Sequence, residues 1–343
     1  MIKLFNLSEA EQWDACVKSF AEWDVYYLSG YVKAFHIHGD GDPFMLYYEE
    51  NGLRAIYVYM RRPTALSGVY DSVTPYGYGG VLFEGDTTEE NRKAFWGAYV
   101  SKMQEENIVD NFVRYHPVLK NAAPMKDVSN VIDLGHTIAI ELTSPDVIWE
   151  NIVSKNRNMI RKAEKNGIEI LHGKGMELMD QFIEIYNATM QKDNAEEYYY
   201  FKRPFYESIH NDLNDNYEMF YAMYEGRPIA MSIMIFANGM LNYHLSGSDI
   251  VYRNLAPSNL LLYKAALWGC EQGCKTFHLG GGVGSGEDNL YKFKAAFNKN
   301  SDYQFSIGKQ IFDQEKYDEL VALRAKRDSD FNPESKFFPL YRS

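Results

Sequence analysis

Cysteine is scarce in this chain. Cys16, Cys270 and Cys274 are three among 343 residues and make no disulfide framework. Cys270 and Cys274 lie one helical turn apart between Gly269 and Gly273, which reads as small residues on a packed helix. Long apolar runs are lacking as well, and no stretch approaches the ~20 residues of a membrane span. The opening Met1-Ile2-Lys3-Leu4-Phe5-Asn6 soon turns polar, so no secretory signal is expected and the predicted setting is reducing and cytoplasmic. Positive charge is in deficit, with 35 Lys and Arg against 47 Asp and Glu and a net charge of −12. That excludes a broad basic face coating nucleic acid, DNA included, but leaves room for a small local anion site. Two nucleotide signatures are also missing. A P-loop needs Lys-Ser or Lys-Thr after its last glycine, whereas Gly284-Ser285-Gly286 leads into Glu287-Asp288. A dinucleotide fingerprint needs G-x-G-x-x-G, but the sixth position is Ser285 counted from Gly280 and Glu287 counted from Gly282. His36-Ile37-His38 with Asp40 and Asp42 is too loose a pattern to predict a metal, and none is expected.

What is present fits a globular enzyme. The length suggests two domains of similar size. A hydrophobic content of 46%, with 27 tyrosines and 20 phenylalanines, is ample for two packed cores. Ser8 and Glu11 form a capping-box pattern before a helix over 9–20. Phe44–Tyr48 and Leu53–Met60 read as strands joined at Asn51-Gly52, a hairpin turn. A glycine and tyrosine loop, Asp71 to Gly80, precedes a helix over Thr88–Asn107 and strands at Asn111–Tyr115 and Thr137–Leu142. One long helix is predicted from about Val147 to Asn166, stopped by Gly167. Then follow strand 168–171, helices 176–190 and 202–213, strands 217–224, 229–236 and 240–246, and a helix over 258–273 capped by Ser258. A strand over 275–279, a short helix, a strand over 303–312 and a helix over 314–326 close the chain. The fold class is therefore α/β with mixed sheets. The boundary is drawn near Thr143-Ser144-Pro145, giving domains 1–145 and 146–343.

The most informative segment is His278-Leu279-Gly280-Gly281-Gly282, followed by Leu290-Tyr291-Lys292-Phe293-Lys294-Ala295-Ala296-Phe297. Glycines after a strand let something approach the backbone, and lysines beyond them would face that space. A second notable segment is basic: Lys155, Arg157, Arg161, Lys162 and Lys165 stand against Glu164 alone, in an acidic protein. Taken by itself such a helix usually just solvates its charges.

The element order of the second half matches the GNAT acyltransferase superfamily, and the first half looks like a reduced copy, so the chain resembles tandem GNAT-like domains. Ser154 to Ile170, the loop Thr74-Pro75-Tyr76-Gly77-Tyr78-Gly79-Gly80 and Tyr291 to Phe297 together resemble the Fem-type aminoacyltransferases, over nearly the whole chain. That family builds peptidoglycan cross-bridges from aminoacyl-tRNA. The resemblance implies that Phe293-Lys294 lies at the reacting centre, with Lys294 stabilising charge on the acyl carbonyl. It implies substrate contacts from Tyr76, Arg161, Arg203 and Tyr243, and from Lys33 in Gly30-Tyr31-Val32-Lys33. No tightly bound cofactor is implied. The acyl donor is aminoacyl-tRNA or acyl-CoA, and the acceptor is a small-molecule or nucleotide-linked cell-wall precursor. CoA-dependent relatives carry a pyrophosphate loop where this chain has Arg253-Asn254-Leu255-Ala256-Pro257-Ser258, in which Pro257 removes an amide donor. The two-helix arm of many cell-wall members is missing between residues 171 and 217. His244, Asp249, Glu287 and Asp288 are the candidates for taking the acceptor's proton. The expected function is amide formation on a bacterial cell-envelope precursor. The alternatives are CoA-dependent N-acylation of a nucleotide-linked sugar or other small amine, and carbohydrate or nucleotide-sugar binding without catalysis.

Overall fold

In the computed structural model, which describes all of Met1–Ser343, the chain opens with strand β1 (Ile2–Phe5) and helices α1 (Ala10–Lys18) and α2 (Ser29–His38). Strands β2 (Asp42–Glu50) and β3 (Leu53–Pro63) form the predicted hairpin. Asn51 and Gly52 take φ of 50° and 77°, which the tight turn requires. Next come β4 (Tyr70–Val73), β5 (Leu82–Gly85), α3 (Glu89–Glu105), capped by the Thr88 side chain, and β6 (Ile108–Arg114). Strand β7 (Val131–Glu141) is followed by α4 (Pro145–Asn151), α5 (Ser154–Lys165), β8 (Glu169–Gly173), α6 (Met176–Lys192) and α7 (Arg203–Asp212). The meander β9 (Tyr217–Tyr224), β10 (Arg227–Ala237) and β11 (Met240–Ser248) leads to α8 (Pro257–Glu271), β12 (Thr276–Gly280) and α9 (Asn289–Ala295). Strand β13 (Tyr303–Ile311) and helix α10 (Gln314–Arg327) complete the order.

The chain divides into two compact units, Met1–Leu134 with Gln304–Ser343, and Gly135–Tyr303. In the first, the sheet runs β1-β2-β3-β4-β6-β13, with β5 also on β3. Pairing is antiparallel except for the parallel pair β4 and β6. Its core is aromatic, with Tyr48, Tyr57, Phe95 and Tyr99 among its buried side chains. The Asn111 side chain, also buried, bonds the hydroxyls of Tyr57 and Tyr99 at 2.8 and 2.7 Å. In the second unit the sheet runs β7-β12-β11-β10-β9-β8, antiparallel except for the parallel pair β11 and β12. Ile140, Ile148, Ile160, Leu262 and Phe277 are among the residues of one buried cluster beneath α4, α5 and α8. Each unit thus has an antiparallel meander, then a crossover helix, then a strand parallel to the last meander strand. This is the duplication that element order implied.

Four sequence expectations change. The division at Pro145 into contiguous domains 1–145 and 146–343 does not describe the compact units. β7 lies against β12, and the late strand β13 lies against β6, so the last forty or so residues pack with the first unit. The predicted helix over 147–166 is two helices. Ile152 and Val153 are extended (ψ 131° and 145°), Ile152 is buried in the core, and the Val153 N–H donates to Ala296 O at 3.1 Å instead of continuing the helix. Ser8 is no helix cap: Asn6 takes both its N–H and its hydroxyl, at 2.8 and 2.7 Å, and a 3-10 turn precedes α1. Ser258 does not cap α8 either, because the helix starts at Pro257 behind Ala256, which is left-handed at φ 60°.

Candidate active site

The parallel pair β11 and β12 is in register only from Met240↔Thr276 to Asn242↔His278. Both strands then run on, β11 to Ser248 and β12 to Gly280. A wedge therefore opens at the carboxyl ends of two parallel strands, the usual place for a ligand in such sheets. A β-bulge sits in this stretch. Ile233 pairs with Leu245 and Met234 with Tyr243, so the β10–β11 register skips His244. Bulges of this kind re-aim side chains beside active sites. Burial drives the pKa of His244 down to about 3, so its imidazole is neutral at physiological pH.

On the other side of the wedge, β12 leaves the sheet at Gly280, whose φ of 78° favours glycine. His278 on β12 is buried and holds the Thr137 hydroxyl at 2.9 Å, which fastens β12 to β7. The loop then passes Gly281 and Gly282 to Asp288, whose carboxylate caps α9 by accepting the Tyr291 N–H at 2.8 Å. Lys294, on the last turn of α9, reaches back to this loop and donates from Nζ to Gly281 O at 2.7 Å. It is 8% exposed. Removal from water lowers its pKa to about 8, against an opposing pull from Asp288. Lys294 therefore remains mostly charged at pH 7. A buried cation near the top of an open wedge has the character of an electrostatic stabiliser for a developing oxyanion. Phe293 is half-buried against the core below, edge-on to Phe297 with ring centroids 5.5 Å apart.

Two details differ from the sequence reading. Lys294 does not simply face the space beyond the glycines: its side chain is buried and tied to Gly281 O. The glycines beside it also make room for the protein's own atoms: a Cβ on Gly282 would lie 2.4 Å from both Gly286 O and the Asp288 carboxylate, and one on Gly281 would lie 3.2 Å from His136 O.

The remaining predicted residues are spread out. Tyr243 lies on β11 at the wedge, half-buried, with its hydroxyl pushed up in pKa by burial and hydrogen-bonded to Ser246 and Ser232. Arg161 is exposed on α5, with its guanidinium over the Trp149 ring at 5.1 Å. Arg203 is exposed at the start of α7 and already paired with Asp180 and Glu207, so a phosphate would have to compete with two carboxylates. These residues share the second unit with Lys294. Lys33 and Tyr76 belong to the first. Tyr76 stacks on Phe35 of α2 with centroids 5.4 Å apart, and its carbonyl accepts the Tyr31 hydroxyl at 2.6 Å. Lys33 is on the same helix, two residues from each and so on another face. Sequence reasoning missed the bulge at His244, the His278–Thr137 link and the role of Asp288 as cap. Only the last had a local signal, an Asp directly before a helical stretch.

A CoA pyrophosphate would be expected at the start of α8. There Pro257 has no N–H, and those of Ala256 and Asn259 are bonded to Arg253 O and Ala256 O at 3.1 and 3.2 Å. The residues present fit that group poorly. No helix is long and apolar enough to cross a membrane.

Residues 154–294 match the acetyltransferase (GNAT) domain family. The match begins at the first residue of α5 and ends on Lys294. Comparison with curated protein sequences gives no match. Among solved structures, FemX superposes with a TM-score of 0.70 at 14% identity, covering 93% of this chain and 99% of FemX. A conserved protein of unknown function from Bacteroides thetaiotaomicron gives 0.59 at 12% identity, over 90% and 99% of the two chains. The C-terminal domain of an Agrobacterium fabrum protein assigned as a lysylphosphatidylglycerol synthetase gives 0.58 at 14%, over 89% and 91%. Residues 154–294 thus form a domain similar to the acetyltransferase (GNAT) family, and the chain as a whole shares the fold of FemX.

Proposed function

We propose that this protein transfers an acyl or aminoacyl group to an amine of a bacterial cell-envelope precursor, in the manner of peptidoglycan bridge formation. The observation that carries the reading is Lys294, a buried, charged amine fixed on the Gly281 carbonyl at the mouth of the β11–β12 wedge. The acceptor nitrogen would attack the donor's carbonyl carbon, forming the C–N bond. The oxyanion of the tetrahedral intermediate would be met by the Lys294 ammonium. Collapse would break the C–O bond of an aminoacyl ester, or the C–S bond of a thioester, and the proton lost by the nitrogen would end on the departing oxygen or sulfur, released as the alcohol or thiol. Tyr243 and Phe293 would line the acyl side. Arg161, within the basic stretch of α5, would meet anionic groups.

The Fem-like fold and the engaged amides before α8 support aminoacyl-tRNA as donor. The match to an acetyltransferase-type domain favours a second reading, acyl-CoA-dependent acylation of a nucleotide-linked sugar amine. Thermal protection separates them, since a donor that binds only the folded state raises the melting temperature. Protection by charged tRNA and not by acetyl-CoA is expected; the reverse result would select the second reading. With the donor in hand, single-turnover transfer by Lys294→Ala is expected to fall by ~100-fold or more, as when one oxyanion donor is removed. A rate equal to wild type would overturn the catalytic role of Lys294.

A further inference from the structure

We infer that Asp288 is a positioning residue for Lys294: one carboxylate ties the glycine loop to α9 and thereby aims the lysine and keeps it charged. The inference rests on the reading that Lys294 acts in the chemistry, and it names how that residue is controlled. Asp288 Oδ1 accepts the Tyr291 N–H of α9 at 2.8 Å, while Oδ2 accepts the Val283 N–H of the loop at 3.2 Å. Lys294 grips the same loop two residues earlier, at Gly281 O. Between these two attachments lies Gly282, where any side chain would collide with the Asp288 carboxylate. Loop, cap and lysine thus form one closed bracket.

The amides that Asp288 accepts hold its carboxyl below the usual carboxylate range, so it stays ionised. The charge that opposes the desolvation of Lys294 is that of Asp288. The other acids nearby act elsewhere, Glu287 and Asp302 bearing on the Tyr291 hydroxyl. On β12, His278 is occupied with Thr137. Asp288 therefore has two separable duties: geometry through its oxygens, and charge through its ionisation. Asn keeps an oxygen for the cap and loses the charge, since both residues serve well as N-caps. Ala loses both.

The test titrates Lys294 directly, by NMR of lysine side chains labelled at Cε and Nζ, with the signal assigned through Lys294→Arg. In Asp288→Asn the midpoint should move measurably to lower pH, because the opposite charge that favours the ammonium is lost. Circular dichroism and melting temperature should stay near wild type. In Asp288→Ala the Gly281 and Val283 amide resonances should shift as well, because the bracket opens. An unchanged Lys294 midpoint in Asp288→Asn would overturn the inference while leaving the proposed function standing. The converse failure is separable: if Lys294→Ala transfers at the wild-type rate, the catalytic reading falls and the titration still decides whether Asp288 governs Lys294. Where transfer can be assayed, the high-pH limb of the rate profile should move with the NMR midpoint.

Discussion

Lys294 is pulled two ways. Burial favours the neutral amine, whereas the chemistry proposed for it needs the ammonium. The outcome, a pKa of about 8, places its loss of charge just above neutrality. The sign follows directly: below about pH 8 the cation is present and the oxyanion is stabilised, and above it the cation is lost. Transfer should therefore fall as pH rises through about 8, on top of whatever rising limb the acceptor amine contributes. Lys294→Arg tests the cause, because a guanidinium stays charged throughout this range. The variant's rate, whatever its height, should lack the fall near pH 8, and a fall that persists would assign it to another group. Lys294→Ala also has a structural cost that the sequence did not suggest. It leaves Gly281 O without its buried donor, a loss of ~1–3 kcal/mol, partly offset by removing a desolvated charge. The lysine was legible in the sequence through its motif, whereas its burial was not, because an exposed amphipathic helix and a helix folded over a loop have the same local pattern.

At the scale of elements, glycines divide into those the loop geometry demands and those it does not. Gly282 has an ordinary backbone (φ −84°) but no room, with Gly286 O 2.4 Å from where a Cβ would stand. Gly282→Ala should force the loop off Asp288, destabilise by ~1–3 kcal/mol as overpacking does, and cut transfer far more than the stability loss explains. Thermal melts beside single-turnover rates would check this, and a variant with normal turnover would show that the bracket can relax. Gly97 is the opposite case. It lies on the exposed face of α3 with nothing within 4 Å of a Cβ, so Gly97→Ala should stabilise by ~0.5–1 kcal/mol in a denaturant titration. Most helices and strands were legible because their signals are local: Asn51-Gly52, the Gly167 stop, the apolar runs of the β9–β11 meander. The break in the helix over 147–166 was not. Nothing around Ile152 and Val153 forbids a helix, and the chain leaves it there because Val153 finds Ala296 O and Ile152 finds the core.

At the scale of the whole molecule, the carboxyl-terminal segment returns to the first unit and closes a buried charge cluster there. Tyr341 donates between Asp110 (2.6 Å) and Asp71 (3.0 Å), and Asp71 is also paired with Arg62 and Arg342. One hydroxyl has one proton for two carboxylates. Burial, with Asp71 adding to it, pushes Asp110 up to about 7. A carboxyl raised in the folded state holds its proton there between about pH 4 and 7, where the unfolded chain has lost it. Its contribution is therefore most favourable below about pH 4 and declines as pH rises to about 7. Asp110→Asn should flatten this part of the stability profile and melt above wild type at pH 8. Thermal melts from pH 5 to 8 would show it, and parallel curves for the two proteins would exclude Asp110 as the source. The mixed α/β class and most of the order of elements in the second half were determined by the sequence alone, since turn chemistry and periodicity act over a few residues. Only the tertiary structure decided that β7 and β13 serve sheets on opposite sides of the expected boundary, that β11 and β12 part beyond Asn242 and His278, and that Lys294 is dry. Those facts depend on partners remote in the chain, such as Thr137 for His278 across 141 residues and Ala139 for Asn298 across 159. Strand pairing and desolvation are set by such neighbours, and no local pattern encodes them.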